Sequence, residues 1–438
     1  MIRYYFWLSL KSIKGNPWLS ALMVLAIALG IGAFMTTYTV FHYMSGDPIP
    51  HKSDKLFTVQ LDNWAPDSAW DDENNRPPPH LTYRDSHFLA ESKEATYQTA
   101  FFSVIMAAQP ENPDIKPLRA QGLVTYSDFF PMFEPKFLYG SAWTRRDDQQ
   151  RNRVIVLSKD MNERVFGGEN SVGKYFRLND HEYKIVGVLD DFAPRPKYYD
   201  LVNSQDFGDT EDFYLPFTLN DFLKLRPAGN NSCWKPLPTA SYEGYLESDC
   251  VWINMWVQLE DEDHKQQYQQ FIDNYVIDQK NLGRFPRPLN NQITDVMDWL
   301  EVREVVTDDT HIQLWLSGAF LIVCLLNTVG LMLAKFLKKS GDVGVRRALG
   351  ASRAQIFYQH LIESATLGIV GAILGLALAW LGLLMVRSFS PDIAVLTHLD
   401  FKLSLFAFAV AIITSLISGL YPTWRICQIT PARQLKSQ

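Results

Sequence analysis

Few residues in this chain are spaced for chemistry. Gly168, Gly173 and Lys174 satisfy G-x-x-x-x-G-K, the first part of a phosphate-binding loop whose backbone amides would cradle an anion. The next residue is Tyr175, where such a loop places the Ser or Thr hydroxyl that holds magnesium. The order of elements is also reversed. A helix-like stretch, Lys159 to Phe166, comes before the glycines and a strand pattern, Tyr175 to Leu178, after them, whereas a phosphate loop runs from strand to helix. Turns that glycine permits explain the segment better. The chain contains no H-E-x-x-H, no Cys/His metal spacing and no G-x-S-x-G elbow. The acidic runs Glu260 to Asp263 and Asp308-Asp309 read as solvated faces or helix N-termini, where a carboxylate meets the positive end of the dipole. Calcium binding by these runs lacks a loop signature. No catalytic set and no metal site emerges, which argues against an enzyme and turns attention to the elements themselves.

Average composition suggests an ordinary soluble protein: 438 residues, 47% hydrophobic, 20% charged, formal net charge −7. The distribution of charge contradicts that average. Four windows hold no Asp, Glu, Lys or Arg: Gly15 to Gly46, Ile312 to Ala334, Ser364 to Val386 and Leu403 to Trp424. A helix needs about 20 apolar residues to cross a bilayer core. One charge at mid-bilayer costs roughly 2.5–3.5 kcal/mol on the insertion scale. Buried core helices of a soluble protein are the alternative, but those are usually shorter and carry a polar face. The first window follows Arg3, Lys11 and Lys14, as a signal peptide would, yet its run is longer than a signal core and no clear small-x-small cleavage site ends it. It reads as an uncleaved anchor.

The flanks set the orientation. Residues 1–14 hold 3 basic and no acidic residues, residues 335–363 hold 6 basic and 2 acidic, and residues 425–438 hold 3 basic and none acidic. The positive-inside rule places these segments in the cytoplasm and residues 42–311, with 27 basic and 44 acidic residues, outside. The chain then divides as follows: an N-terminal cytoplasmic or interfacial helix at 1–16, spans at 17–41, 312–334, 362–386 and 403–424, and an external domain at 42–311. A cytoplasmic loop occupies 335–361, an outer loop 387–402 and a cytoplasmic tail 425–438. The fold class expected is an α-helical membrane protein with four transmembrane helices and a large mixed α+β extracytoplasmic domain inserted between helices 1 and 2. Outside the membrane, Cys233 and Cys250 face an oxidising compartment that favours a disulfide, with two unlinked thiols as the alternative.

Within the external domain, alternation predicts strands at Leu56–Leu61, Arg153–Leu157, Tyr183–Val188 and Val251–Leu259, and helices at Thr82–Ala95 and Glu260–Tyr275. Gly208 to Tyr242, rich in Asp, Asn, Pro and Gly, reads as an extended excursion. Two lobes are expected: a β-rich piece at about 119–240, flanked by two α/β pieces that pair with each other.

The cytoplasmic loop has the densest local signals. Ser340 and Asp342 are placed to cap a short helix from about Val343 to Leu349, Gly350 to stop it in a left-handed conformation, and Ser352 with Gln355 to form a capping box for the next helix. That next helix runs into the third span, so a push on the short helix would reach the membrane directly. An ordinary basic loop drawn to anionic lipid accounts for the arginines equally well. Small residues in the spans fit close packing: Ala26 with Gly30, Ala28 with Gly32, and Gly371 with Gly375.

The stretch Asp342 to Phe357, DVGVRRALGASRAQIF, closely resembles the signature of the FtsX/MacB family of ABC transporter permeases. GLYPTWR at 419–425, followed by Thr430-Pro431-Ala432, resembles that family's last span and tail. RVIVLS at 153–158, Phe166 to Gly168, Val172 to Lys174 and YKIVGV at 183–188 look like its periplasmic core. The likeness spans nearly the whole chain and is weak between Asn203 and Cys250. Asp342 stands where the family usually has Glu, and these residues include no nucleotide-binding domain. The resemblance implies a non-catalytic permease subunit in a bacterial inner membrane, with two copies of a separate ATPase, a second permease in a homodimer or heterodimer, and a periplasmic adaptor. It implies no cofactor on this chain, ATP and Mg on the ATPase, and no nucleic acid partner. It assigns ATPase contact to Asp342, Val343, Arg346, Arg347, Leu349, Gly350 and Ala351, and implies export of a peptide or small molecule by mechanotransmission. A lipoprotein-releasing permease or an FtsX-like regulator of a periplasmic hydrolase is the alternative.

Overall fold

The computed structural model describes residues 2–110, 116–203, 206–389 and 401–428. The chain forms two compact units, one of residues 1–46 with 306–438, the other of residues 47–305. Most of the expected outer loop at 387–402, and the tail from 429 with its Thr430-Pro431-Ala432, lie outside the described residues.

The first unit is helical. It contains α1 (Ile2–Gly15), α2 (Pro17–Met44) and, beyond the other unit in sequence, α11 (Asp308–Lys338), α12 (Ser340–Ala348), α13 (Arg353–Phe389) and α14 (Phe401–Cys427). Four of these, α2, α11, α13 and α14, are long and apolar enough to cross a membrane. α11, α13 and α14 run past their uncharged windows because polar residues continue the helix at the ends, whereas α2 lies within its window. Asp308 and Asp309 occupy the first turn of α11, and Lys335 and Lys338 its last, each matching the helix dipole.

Residues 47–305 are built around one ten-stranded sheet. Its strands are β1 (Leu56–Gln60), β2 (Tyr97–Gln109), β3 (Leu118–Thr125), β4 (Phe137–Gly140), β5 (Val154–Leu157), β6 (Tyr175–Leu178), β7 (His181–Leu189), β8 (Phe213–Pro216), β9 (Asn254–Gln258) and β10 (Gln292–Asp295). The order is β10-β1-β9-β2-β3-β8-β5-β7-β4, with β6 pairing both β2 and β7. The β3/β8 and β5/β7 ladders are parallel. Helices α3 (Tyr83–Glu91), α4 (Phe129–Phe133), α5 (Arg145–Gln150), α6 (Lys159–Phe166), α7 (Asn220–Leu223), α8 (Tyr242–Leu246), α9 (Glu262–Asn281) and α10 (Val296–Val302) join them.

Two expectations change here. The expected middle lobe and its flanks are two halves of a single sheet, because the 13-residue β2 pairs with β9 along its first half and with β3 along its second. The segment 208–242 is not a mere excursion. Its short apolar run at Phe213–Pro216 forms β8, fully buried between β3 and β5. The surrounding Asp, Asn, Pro and Gly residues mask that four-residue strand in any sequence window. The helix starts, by contrast, follow local capping chemistry. Thr82, Ser158, Asp261 and Asp295 each accept a backbone N–H at the start of α3, α6, α9 and α10. The core beneath is aromatic, with Phe133 lying 5.4 Å from Tyr199 and 5.9 Å from Trp256 between ring centres. Gly168, Gly173 and Lys174 lie on turns between α6 and β6, Gly168 and Gly173 at positive φ, the arrangement of a turn rather than a nucleotide loop. Cys233 and Cys250 form a disulfide.

Candidate functional site

The loop between α11 and α13 is a built corner. α12 begins at Ser340, and neither Ser340 nor Asp342 caps it, a correction to the expected start near Val343. α11 and α12 meet at Lys339, whose carbonyl already accepts the Val343 N–H at 3.2 Å, so the helical ladder forms a turn earlier than the capping pattern implied. The far end follows the sequence pattern. Gly350 has φ +103°, the Gly350 N–H donates to the Arg347 carbonyl at 3.2 Å, and the Ala351 N–H reaches the Arg346 carbonyl at 3.0 Å. This is a Schellman stop, which satisfies the orphan carbonyls of α12. The Gln355 N–H then donates to Ser352 Oγ at 3.2 Å and the Ser352 N–H to Gln355 Oε1 at 2.9 Å, a reciprocal capping box that starts α13. Only Leu349 to Ser352 separate the two helices, and α13 continues unbroken for 37 residues.

The corner has an anchored face and a free face. Val343 is buried with Phe336, Ile356, Ile426 and Cys427, which ties α12 to α11, α13 and α14. Arg347 donates to the Cys427 carbonyl at 3.4 Å, and Arg346 to Gln359 Oε1 at 2.9 Å. Ala351 is half-buried against the same apolar cluster. Asp342, Val345 and Leu349 face outward, Leu349 with 82% of its surface exposed. Val345 and Leu349 thus leave apolar surface uncovered at the end of α12.

Beneath the corner lies a charge cluster that the sequence reading missed. Lys335 Nζ of α11 lies 2.8 Å from Glu363 Oε1 of α13, both side chains essentially inaccessible. His360 Nδ1 lies 3.4 Å from Glu363 Oε2, the Lys335 ammonium also donates to Ser20 Oγ of α2 at 3.0 Å, and Ser12 of α1 donates to Glu363. Four helices therefore meet at one ion pair. The signal for it was present: Lys335 and Glu363 are the opposite charges that border the second and third uncharged windows on the same side.

The small residues pack as pairs of helix faces. A Cβ on Gly30 would lie 2.9 Å from Leu321 of α11, whereas one on Gly32 would lie 2.8 Å from Leu378 of α13. Gly371 faces Ile27 at 2.6 Å and Gly375 faces Ile31 at 3.0 Å on the same measure. α2 is thus held between α11 and α13 by glycines on two of its faces. Ala28 is buried in this seam and Ala26 only half-buried. On α1, Ile13 packs inward beside Met23, Met332 and Leu367, while Tyr4, Phe6 and Trp7 are exposed.

Comparison with known proteins adds the following. A family model described as MacB-like periplasmic core domain matches residues 20–275, and one described as FtsX-like permease C-terminal matches residues 315–431. The pyoverdine export ATP-binding/permease protein PvdT of Pseudomonas aeruginosa is 24% identical over 304 residues, 68% of this chain and 39% of that protein. The macrolide export ATP-binding/permease protein MacB of Marinobacter nauticus is 20% identical over 441 residues, 98% of this chain and 60% of that protein. The chain thus spans about half the length of the relatives it matches. The periplasmic region of MacB from Actinobacillus actinomycetemcomitans aligns at 15% identity and a TM-score of 0.37, covering 59% of this chain and 96% of that structure.

Proposed function

Since the chain belongs to the family of MacB-like periplasmic core domains with an FtsX-like permease C-terminus, we propose that it is the permease subunit of a MacB-type ABC exporter driven by a separate ATPase. The observation that supports this most is the corner at Gly350, where an exposed Leu349 stands at one end of an anchored helix and a 37-residue helix begins at Arg353. In this reading two ATPase subunits grip Asp342, Val345, Arg346 and Leu349 of paired permeases. Their closure on ATP tilts α12. The Schellman stop and capping box leave no slack, so α13 moves with it. α13 packs against α2 through Gly371, Gly375 and Gly32, and α2 leads in sequence into the external domain. The external domain then changes shape and drives a peptide or small molecule outward, with a periplasmic adaptor as the receiving partner, from a bacterial inner membrane.

The test uses the chain co-expressed with its ATPase in mild detergent. Leu349→Asp is expected to abolish co-purification of the ATPase while shifting stability by less than about 0.5 kcal/mol, as for any exposed site. Co-purification undiminished by this variant would remove α12 from the contact.

A further inference from the structure

Beside the Lys335–Glu363 pair a cleft of about 160 Å³ opens between α1, α12 and α13, bordered by Lys11, Ser12, Lys339, Asp342, Arg346 and Glu363. Its charge does not balance. The Glu363 carboxylate is already committed to Lys335, His360 and Ser12. That leaves three cations against Asp342. Among the described residues, the direct hydrogen-bond and ring partners of those cations are neutral: Lys11 lies 5.4 Å above the Trp7 ring, Lys339 donates to the Ser12 hydroxyl, and Arg346 donates to the Gln359 amide. Burial, reinforced by the positive charges of Lys335 and Arg346, holds the Lys339 ammonium below the ordinary lysine range despite the opposing pull of Glu363 and Asp342. A half-buried ammonium short of negative charge is a standing demand for an anion.

Size and position narrow the ligand. Ligand pockets run to about 300–1,000 Å³, so this cleft admits a small anionic group and not a whole drug-sized molecule. Lys11 at its edge lies over the ring of Trp7 of α1, which is exposed, as is Tyr4 one turn before it; Trp and Tyr are the residues that settle at a membrane–water boundary. We propose that the cleft binds the phosphate headgroup of an anionic phospholipid, its acyl chains lying along the exposed aromatic face of α1. Lys11, Lys339 and Arg346 contact the phosphate oxygens, and the Ser12 hydroxyl holds Lys339 in place. A lipid seated there touches both α1 and the corner helix, so it tethers α12 to the bilayer surface. The inference needs only that the apolar helices lie in a bilayer; it shares Arg346 with the proposed ATPase contact but not Lys11 or Lys339, and its failure would leave the ATPase contact at Leu349 untouched.

The full chain is purified in mild detergent and titrated with phosphatidylglycerol or phosphatidylcholine, and retained lipid is counted by native mass spectrometry. The expected result is one retained phosphatidylglycerol per chain and no such preference for phosphatidylcholine. Each of Lys11→Gln, Lys339→Gln and Arg346→Gln is expected to weaken retention about fivefold, the usual effect of one basic residue at an anionic surface. Lys14→Gln and Lys338→Gln, outside the cleft, serve as controls and leave retention unchanged. Lys11→Gln is the decisive single variant because its side chain is exposed and it lies outside the proposed ATPase contact. Equal retention of the two lipids, or equal loss in the control variants, overturns the site. Displacement of the lipid by millimolar inorganic phosphate overturns the lipid as its source and leaves a free-phosphate site. Displacement by the ATPase subunit identifies the cleft as a protein contact instead.

Discussion

Removing Glu363 should cost this protein more than removing any exposed charge, and the structure sets the size of the loss. Both members of the Lys335–Glu363 pair are inaccessible, at 2.8 Å. In Glu363→Ala the Lys335 ammonium keeps only Ser20 Oγ at 3.0 Å, and Ser12 loses its acceptor. Breaking a buried pair from one side destabilises by about 3–5 kcal/mol, whereas replacing both partners with apolar residues of similar volume is often neutral. The expectation is therefore a sign pattern. Glu363→Ala and Lys335→Met alone each lower stability by about 3–5 kcal/mol, and the double variant Lys335→Met with Glu363→Leu recovers most of that loss. Reversible unfolding of the full chain in mixed micelles, followed by far-ultraviolet circular dichroism, measures all three. Single variants that unfold like the parent, or a double variant whose loss equals the sum of the singles, would refute the claim that these charges neutralise one another.

Three further outcomes follow. Gly350→Val should strain the corner by about 1–3 kcal/mol through backbone conformation alone, since nothing lies within 4 Å of the added Cβ. Gly350→Asn should be milder, and thermal unfolding of the full chain should separate the two; equal effects would mean that positive φ is not what the position demands. Reduction of the Cys233–Cys250 bridge, which closes a short ring between ends 17 positions apart, should lower the stability of the unit at residues 47–305 by about 3 kcal/mol, read as a drop in thermal midpoint with reductant that a Cys233→Ser/Cys250→Ser variant does not show. Asp148 is buried, and desolvation, only partly offset by hydrogen bonds from Ser127 and Trp143, pushes its carboxyl up to about 6. A carboxyl raised on folding favours the native state fully below its unfolded value of 3.8 and loses that advantage as pH rises through about 6. Between those values parent stability relative to Asp148→Asn should fall by at most about 1.4 kcal/mol per pH unit; a flat difference across pH 4–6.5 would show that Asp148 does not titrate there.

The sequence alone determined the features whose physics is local. A bilayer span needs only a run of apolar residues without charge, so the four helices long and apolar enough to cross a membrane were legible from the missing Asp, Glu, Lys and Arg. The Gly350 stop and the Ser352–Gln355 box were legible because each involves hydrogen bonds between residues a few positions apart. Where the chain had to choose among distant partners, the sequence was silent. It contained Phe213–Pro216 but not the fact that those residues lie between β3 and β5. It contained Gly30 and Gly32 but not that one faces α11 and the other α13. It contained Lys335 and Glu363 at the edges of two windows, 28 positions apart, but not their ion pair. Strand order, helix faces and buried charge pairing depend on which surfaces exclude water together, and only the packed tertiary structure decides that.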